Sequence, residues 1–197
     1  MSKQAARKPR TDAGRNRGRV LQAACELFGE RGDEVQMSEV AQAAGVGVGT
    51  VYRHFPTRQA LVEAVAEQRF AGILAFAREQ CLPDPDTRQA LACFLRRVAE
   101  VHEQGRGVSS AIEATLGSTE PHGETGAELL AFGEALIERG RADGTLRADA
   151  TVTDLYMLTG AVAAISRQGV GDWRRFIDIA LEGMGPAENR APSVRRG

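Results

Sequence analysis

Groups that bind metals or attack substrates are scarce in this chain. There are three histidines, His54, His102 and His122, and no two of them share a metal-ligand spacing. The three cysteines, Cys25, Cys81 and Cys93, are odd in number and far apart. They match neither a zinc pattern nor a disulfide framework. Cys25 shares a helical stripe with Leu21 and Phe28, so it reads as core. No nucleophile motif and no glycine-rich phosphate loop occurs. An enzyme is therefore not expected, and neither is a cofactor or a metal. No apolar run approaches the roughly 18 residues needed to cross a bilayer, and no secretory leader pattern opens the chain. The expectation is a cytoplasmic protein with no membrane partner. The seven prolines fall at helix ends or in the tails.

A strong net charge is also missing; the formal value is −1. The distribution is uneven, however. Residues 1–58 hold 10 Lys and Arg against 6 Asp and Glu, and residues 59–197 hold 15 against 20. The first 20 residues carry seven basic groups against Asp12 alone. A basic end on an acidic body fits nucleic acid at one end only.

What the chain does have is helical periodicity. Hydrophobic residues make up 43% of its 197 residues, enough for a packed core. Val20, Leu21, Ala24, Leu27 and Phe28 form an apolar stripe over 14–30. Further helices are expected at about 37–44, 48–54, 57–80, 86–104, 108–116, 124–142, 151–167 and 172–184. Thr151 and Asp154 have capping-box spacing, and Asp172 caps the last helix. No strand pattern competes. The fold class is all-α with about nine helices: a three-helix helix-turn-helix unit over 14–58, then a six-helix bundle over 59–185. A disordered basic arm, 1–13, and a disordered tail, 186–197, flank them.

The segment from Met37 to Arg58 is the most specific. Met37, Val40, Ala41 and Ala44 give one helix an apolar face. Gly45 stands where a left-handed C-terminal residue is needed. Val46 folds back, and Gly47 caps the next helix. In that helix Val51 and Phe55 point inward. Val48, Gly49, Thr50, Tyr52 and Arg53 then turn outward. Small residues at 49 and 50 permit close approach to bases. Thr50 suits a thymine methyl and Arg53 suits guanine O6 and N7. Tyr52 and His54 suit phosphates, and Ser38 is placed with them. Arg58, at the start of the helix after Pro56 and Thr57, is assigned a second phosphate. An ordinary helical hairpin has no use for this interleaving of aromatic and basic residues.

These residues resemble the TetR family of bacterial transcription regulators. The resemblance rests on Val20-Leu-Gln-Ala-Ala, Leu27-Phe28, Val40-Ala41, Ala44-Gly45-Val46, Gly49-Thr-Val-Tyr-Arg-His-Phe-Pro56 and Ala60-Leu61. It covers about residues 15–65, and the Gly47-Val48-Gly49-Thr50 wording is similar to one subgroup common in high-GC bacteria. Gly47 departs from the Ser cap of many relatives and Arg58 from their Lys. The resemblance implies a homodimer on a palindromic double-stranded DNA operator, released by a small-molecule effector. It also implies an interface built by the last two helices, with Leu155, Gly160, Ala164, Trp173, Phe176, Ile177 and Ala180 as candidates. Polar or soft groups on apolar helices, Phe94, His102, Glu113, Thr115, Tyr156 and Met157, are the candidate effector contacts. The alternative is a DNA-binding activator or architectural protein that needs no effector.

Overall fold

A computed structural model describes residues 10–186, with side chains from residue 13. Among the described residues all regular structure is helical. The order is α1 (Arg10–Arg31), a 3-10 turn (Gly32–Glu34), α2 (Met37–Ala43), α3 (Val48–His54), α4 (Arg58–Phe76), a π turn (Ala77–Cys81), α5 (Thr87–Gln104), α6 (Arg106–Leu116), α7 (Gly123–Ala142), α8 (Val152–Gln168) and α9 (Trp173–Met184). The all-α architecture matches the expectation from periodicity. Two boundaries differ. Helix α1 begins at Arg10, inside the stretch read as an arm, and the helix expected to end near Gln80 changes to π geometry after Phe76. Residues 1–9 of that arm and 187–197 of the tail lie outside the described residues.

The chain forms two compact units. One holds the described residues up to Arg69 together with Gly105–Glu120; the other holds Phe70–Gln104 and the described residues from Pro121. Helix α6 therefore belongs to the first unit, although periodicity alone assigned it to the bundle. The cause is a close backbone approach. A Cβ on Gly107 would lie 2.3 Å from the Phe28 carbonyl oxygen and 2.5 Å from that of Gly29. Glycine is the residue that lets α6 seat itself on the last turns of α1. Ser109, Ala111 and Ile112 are buried along α6. The rest of the core of this unit includes Val20, Ala24, Phe28, Val40, Val51, Phe55, Leu61 and Val62.

The second unit is organised by α5, which packs against α7, α8 and α9. Leu91 and Leu95 are fully buried on it. Phe94 meets Phe132 of α7 with ring centroids 5.0 Å apart. The start of α5 is tied to the end of α7 by polar groups: the buried Thr87 hydroxyl donates to Asp143 at 2.6 Å and accepts from Arg139 Nε at 3.0 Å. The Thr87 hydrogen bond, joined by those of Thr145, holds the Asp143 carboxyl below its ordinary range. Helix α8 has the expected box: the Thr151 amide donates to Asp154 at 2.8 Å, and the Asp154 amide donates back to Thr151 Oγ1 at 3.3 Å. Asp172 accepts from the amides of Arg174 and Arg175 and so starts α9.

Gly107→Ala tests the seating of α6. Overpacking of this kind costs about 1–3 kcal/mol, so the urea midpoint of the full chain should fall. Gly72→Ala, in α4 with open space around the site, should leave the midpoint unchanged or raise it by up to about 1 kcal/mol of stability. Equal midpoints for Gly107→Ala and the parent would show that α6 is not held by this contact.

Candidate nucleic-acid interface

The turn between α2 and α3 is built by backbone chemistry. Gly45 has φ +61°. Its amide donates to Gln42 O at 3.0 Å, and the Val46 amide reaches Ala41 O at 3.0 Å. This pair of bonds is the Schellman closure, which satisfies the last carbonyls of α2. At the other end of α2, the Gln36 amide donates to Glu39 at 2.8 Å, and Glu39 pairs with Arg31 of α1 at 2.6 Å. The Arg31 hydrogen bond, with that of the Gln36 amide, holds the Glu39 carboxyl below its ordinary range. Gly47 has extended backbone, and its carbonyl takes the first bond of α3 from the Thr50 amide at 2.8 Å.

Val51 is fully buried and Phe55, just past the end of α3, is nearly so. Their burial fixes which side of α3 faces out. Tyr52 is 48% exposed and Val48 47%. Ser38, Gly49 and Arg53 are exposed, and Thr50 and His54 are half-buried. A Cβ at Gly47 or Gly49 would meet nothing within 4 Å. Among the described residues, none would clash with a small side chain at either position.

Two arginines that charge distribution alone left in a general basic end are part of this surface. Arg19 Nη2 donates to the Gly45 carbonyl at 3.3 Å, and the Arg17 guanidinium lies 5.3 Å from the centre of the Phe55 ring. The signal was present in the seven basic groups of the first 20 residues. The spacing that brings these two to the turn comes only from the packing of α1.

Arg58 stands elsewhere than expected. Its guanidinium donates to Thr115 Oγ1 of α6 and, at 2.6 Å, to the Asp33 carbonyl, and it lies 5.5 Å from the centre of the Phe28 ring. It spans three elements of its own unit. Within the chain it acts as an internal clamp, a planar fork whose five donors serve several acceptors at once. Thr57 does cap α4, accepting from the Ala60 amide at 3.0 Å.

The six candidate effector residues are divided between the two units. Thr115 is committed to Arg58 in the first unit, and Glu113 is exposed on the same helix. Phe94 and His102 are buried and Tyr156 half-buried in the second unit. Met157 is 63% exposed. It borders an open groove of about 370 Å³ that also involves Arg147, Asp149, Leu158 and Met184. Among the interface candidates, Leu155, Trp173 and Ile177 are buried inside the second unit, so they pack within the subunit. Gly160 is exposed, and Ala164, Phe176 and Ala180 are half-buried. Ile179, outside the stripe of Trp173, Phe176 and Ile177, is 55% exposed on α9.

A short helix held by two apolar anchors, led in by a glycine turn, with its polar and aromatic side outward, defines a helix-turn-helix DNA-binding domain. Residues 20–65 match the family model described as bacterial regulatory proteins, tetR family, and residues 86–186 match that of the transcriptional regulator SbtR-like C-terminal domain. The chain belongs to the TetR family of bacterial transcription regulators. A TetR transcription regulatory protein from Mycobacterium vanbaalenii is 36% identical, with 89% of this chain and 98% of that one covered and a TM-score of 0.64. An HTH-type transcriptional regulator of Staphylococcus aureus is 38% identical over 66 residues, 32% of this chain and 34% of its own length. The match thus spans about a third of the curated relatives. The crystal structure of RolR in complex with resorcinol, at 21% identity, shares the fold: TM-score 0.61, covering 90% of this chain and 91% of that one.

Arg58→Ala separates clamp from phosphate contact. Losing charged hydrogen bonds of this kind costs about 1–3 kcal/mol, so the melting temperature should fall while the salt dependence of DNA binding stays that of the parent. A phosphate ligand behaves in the opposite way: stability holds and the salt slope drops by about one.

Proposed function

We propose that this chain is a homodimeric repressor that binds a two-fold symmetric operator through α3 and lets go when a small molecule binds its second unit. The observation that carries the proposal is the outward face of α3. Val48, Tyr52 and Arg53 stay in solvent on a helix of two turns, where an isolated fold would gain by covering or replacing them. Arg53 is the candidate for base reading. Tyr52, His54, Arg17 and Arg19 supply register through phosphates.

Dimerisation is supported by apolar surface on α8 and α9. Met157 and Ile179 are exposed, and Gly160 and Ala164 are small enough for a second helix to come near. Two copies would set their α3 helices about 34–36 Å apart, one turn of DNA, or at a multiple of that. Effector control is supported by the likeness to RolR, whose structure holds resorcinol. The route for it in this chain is covalent. Helix α4 gives Arg58–Arg69 to the DNA-binding unit and the rest to the other, and α6 is reached through Gln104–Gly105 and left through Glu120–Pro121. An effector releases DNA only through its differential affinity for the two states. The working place of such a regulator is the cytoplasm.

Selection of bound duplexes from a random pool is the test. The enriched sequences should be inverted repeats, and the purified protein should sediment as a dimer. Arg53→Ala should lose about 1–3 kcal/mol of discrimination at one base position in each half-site. Tyr52→Ala should weaken every duplex alike. A small molecule that raises the melting temperature should also lower affinity for the selected duplex. A monomer with no preference among duplexes would sink this reading, and a bound compound without effect on DNA would remove the effector from it.

A further inference from the structure

The second unit brings together two cysteines that their sequence spacing left unrelated. Cys81 closes the π turn after α4, and Cys93 lies in the second turn of α5. The two are paired as a disulfide with Cα atoms 5.6 Å apart, within the range that disulfide geometry needs. Cys25 is the free cysteine.

The placement is set by more than the bond. The Leu82 amide donates to the Ala77 carbonyl at 2.9 Å, the five-residue step of a π turn. Such a turn takes one residue more than an α turn, so it re-aims the segment after it; it occurs often at functional sites. The connection to α5 is then closed by the Asp84 amide on Cys81 O at 3.2 Å and the Asp86 amide on Asp84 Oδ1 at 2.9 Å. Pro83 and Pro85 stiffen it further. The π turn and these bonds shape the connection that brings Cys81 to Cys93.

The two sulfurs differ in access. Cys81 is fully buried, while Cys93 is half-buried. Arg97 stands four residues beyond Cys93, on the same side of α5. Its guanidinium lies 5.0 Å from the centre of the ring of Phe76, the last α-helical residue before the π turn, and its Nε is buried without a hydrogen-bond partner. A cation at this seam favours the thiolate, the reactive form of cysteine.

We propose that Cys81 and Cys93 form a reversible redox site that reacts with hydroperoxides, and that its state sets the affinity of the protein for DNA. The DNA clause rests on the regulator reading above. In the cytoplasm thiol reductants keep ordinary cysteine pairs open, and disulfides that do form there are as a rule transient or sensory. The Cys93 thiolate attacks the peroxide O–O bond, leaving a sulfenic acid and an alkoxide that takes up a proton to become the alcohol, or water when the oxidant is hydrogen peroxide. The Cys81 thiolate then attacks the Cys93 sulfur, the S–S bond forms, and hydroxide leaves as water. Two thiols are oxidised and one peroxide is reduced. A dithiol reverses the change by exchange. Closure ties the exit of α4 to α5, and opening frees it, which is how the state reaches the helix shared with the DNA-binding unit.

The test treats the full chain with dithiothreitol or with a small excess of hydrogen peroxide, then blocks free thiols and maps peptides by mass spectrometry. Before blocking, the oxidised chain should be lighter by two hydrogen masses; after it, Cys81 and Cys93 should be protected and Cys25 alkylated, and dithiothreitol should restore all three thiols. Affinity for the selected duplex should differ by at least about fivefold between the two states. That difference should vanish in Cys93→Ser and persist in Cys25→Ser. Cys81→Ala repeats the first variant without a buried hydroxyl. Thiols that stay alkylatable under peroxide, a link that maps to Cys25, or equal affinities in both states would overturn the proposal. Failure of both states to bind any duplex counts against the regulator reading, and the alkylation map still decides whether the redox site exists.

Discussion

Burial of Val51 and Phe55 is the constraint on which this molecule depends. A helix of seven residues is far below the length at which a helix holds itself together in water. Helix α3 exists because these two side chains are sunk in the core that α1 and α2 supply. The same burial decides orientation. With one side of a two-turn helix committed inward, Tyr52, Arg53 and Val48 have no course but outward. Orientation is therefore a by-product of packing: the residues that stabilise the helix are not those that face solvent, yet they determine where those residues point.

Arg58 extends that logic to the rest of the first unit. Its guanidinium meets the carbonyl after α1, the hydroxyl of Thr115 on α6 and the face of Phe28. A charge satisfied by so many partners contributes through geometry as much as through attraction. The apposition of α6 at Gly107 works alongside it, since a backbone contact this close depends on the absence of a side chain. The DNA-binding unit is in this way larger than a three-helix reader. It includes a helix delivered from the middle of the chain.

Much of this was legible in the residues alone. Stripes at helical spacing gave all nine helices to within a few residues, and the box at Thr151 and the cap at Asp172 appear where their side chains suggested. The turn at Gly45 was readable because one residue type fits a left-handed position. What periodicity could not supply is which apolar face meets which. Both α6 and α5 carry regular stripes, and nothing in a stripe names its partner, so the seating of α6 on α1 could not be read from it. The same limit explains Arg58, whose phosphate assignment came from its position in a motif while its actual partners lie 25 and 57 residues away. It explains Leu155, Trp173 and Ile177 too: bulk on the last two helices reads as surplus until the neighbours that cover it are known. The cysteine pair escaped for a different reason. Rules of spacing describe frameworks of several bridges, whereas Cys81 and Cys93 meet because a π turn and a short closed connection fold the chain back on itself.

The division into units also restricts how any signal travels. The backbone crosses between them at Arg69–Phe70, at Gln104–Gly105 and at Glu120–Pro121. The first crossing lies inside a continuous helix, which transmits displacement along its axis; the other two bracket α6, which sits on α1 by close backbone contact. Helix α5 ends at the second crossing, and its start is joined to the end of α4 through the π turn. It is also the helix against which α7, α8 and α9 pack. Packed cores shift between discrete arrangements rather than bend gradually, so a two-state change in the packing of α5 is what the proposed effector and the proposed redox site would have to bias.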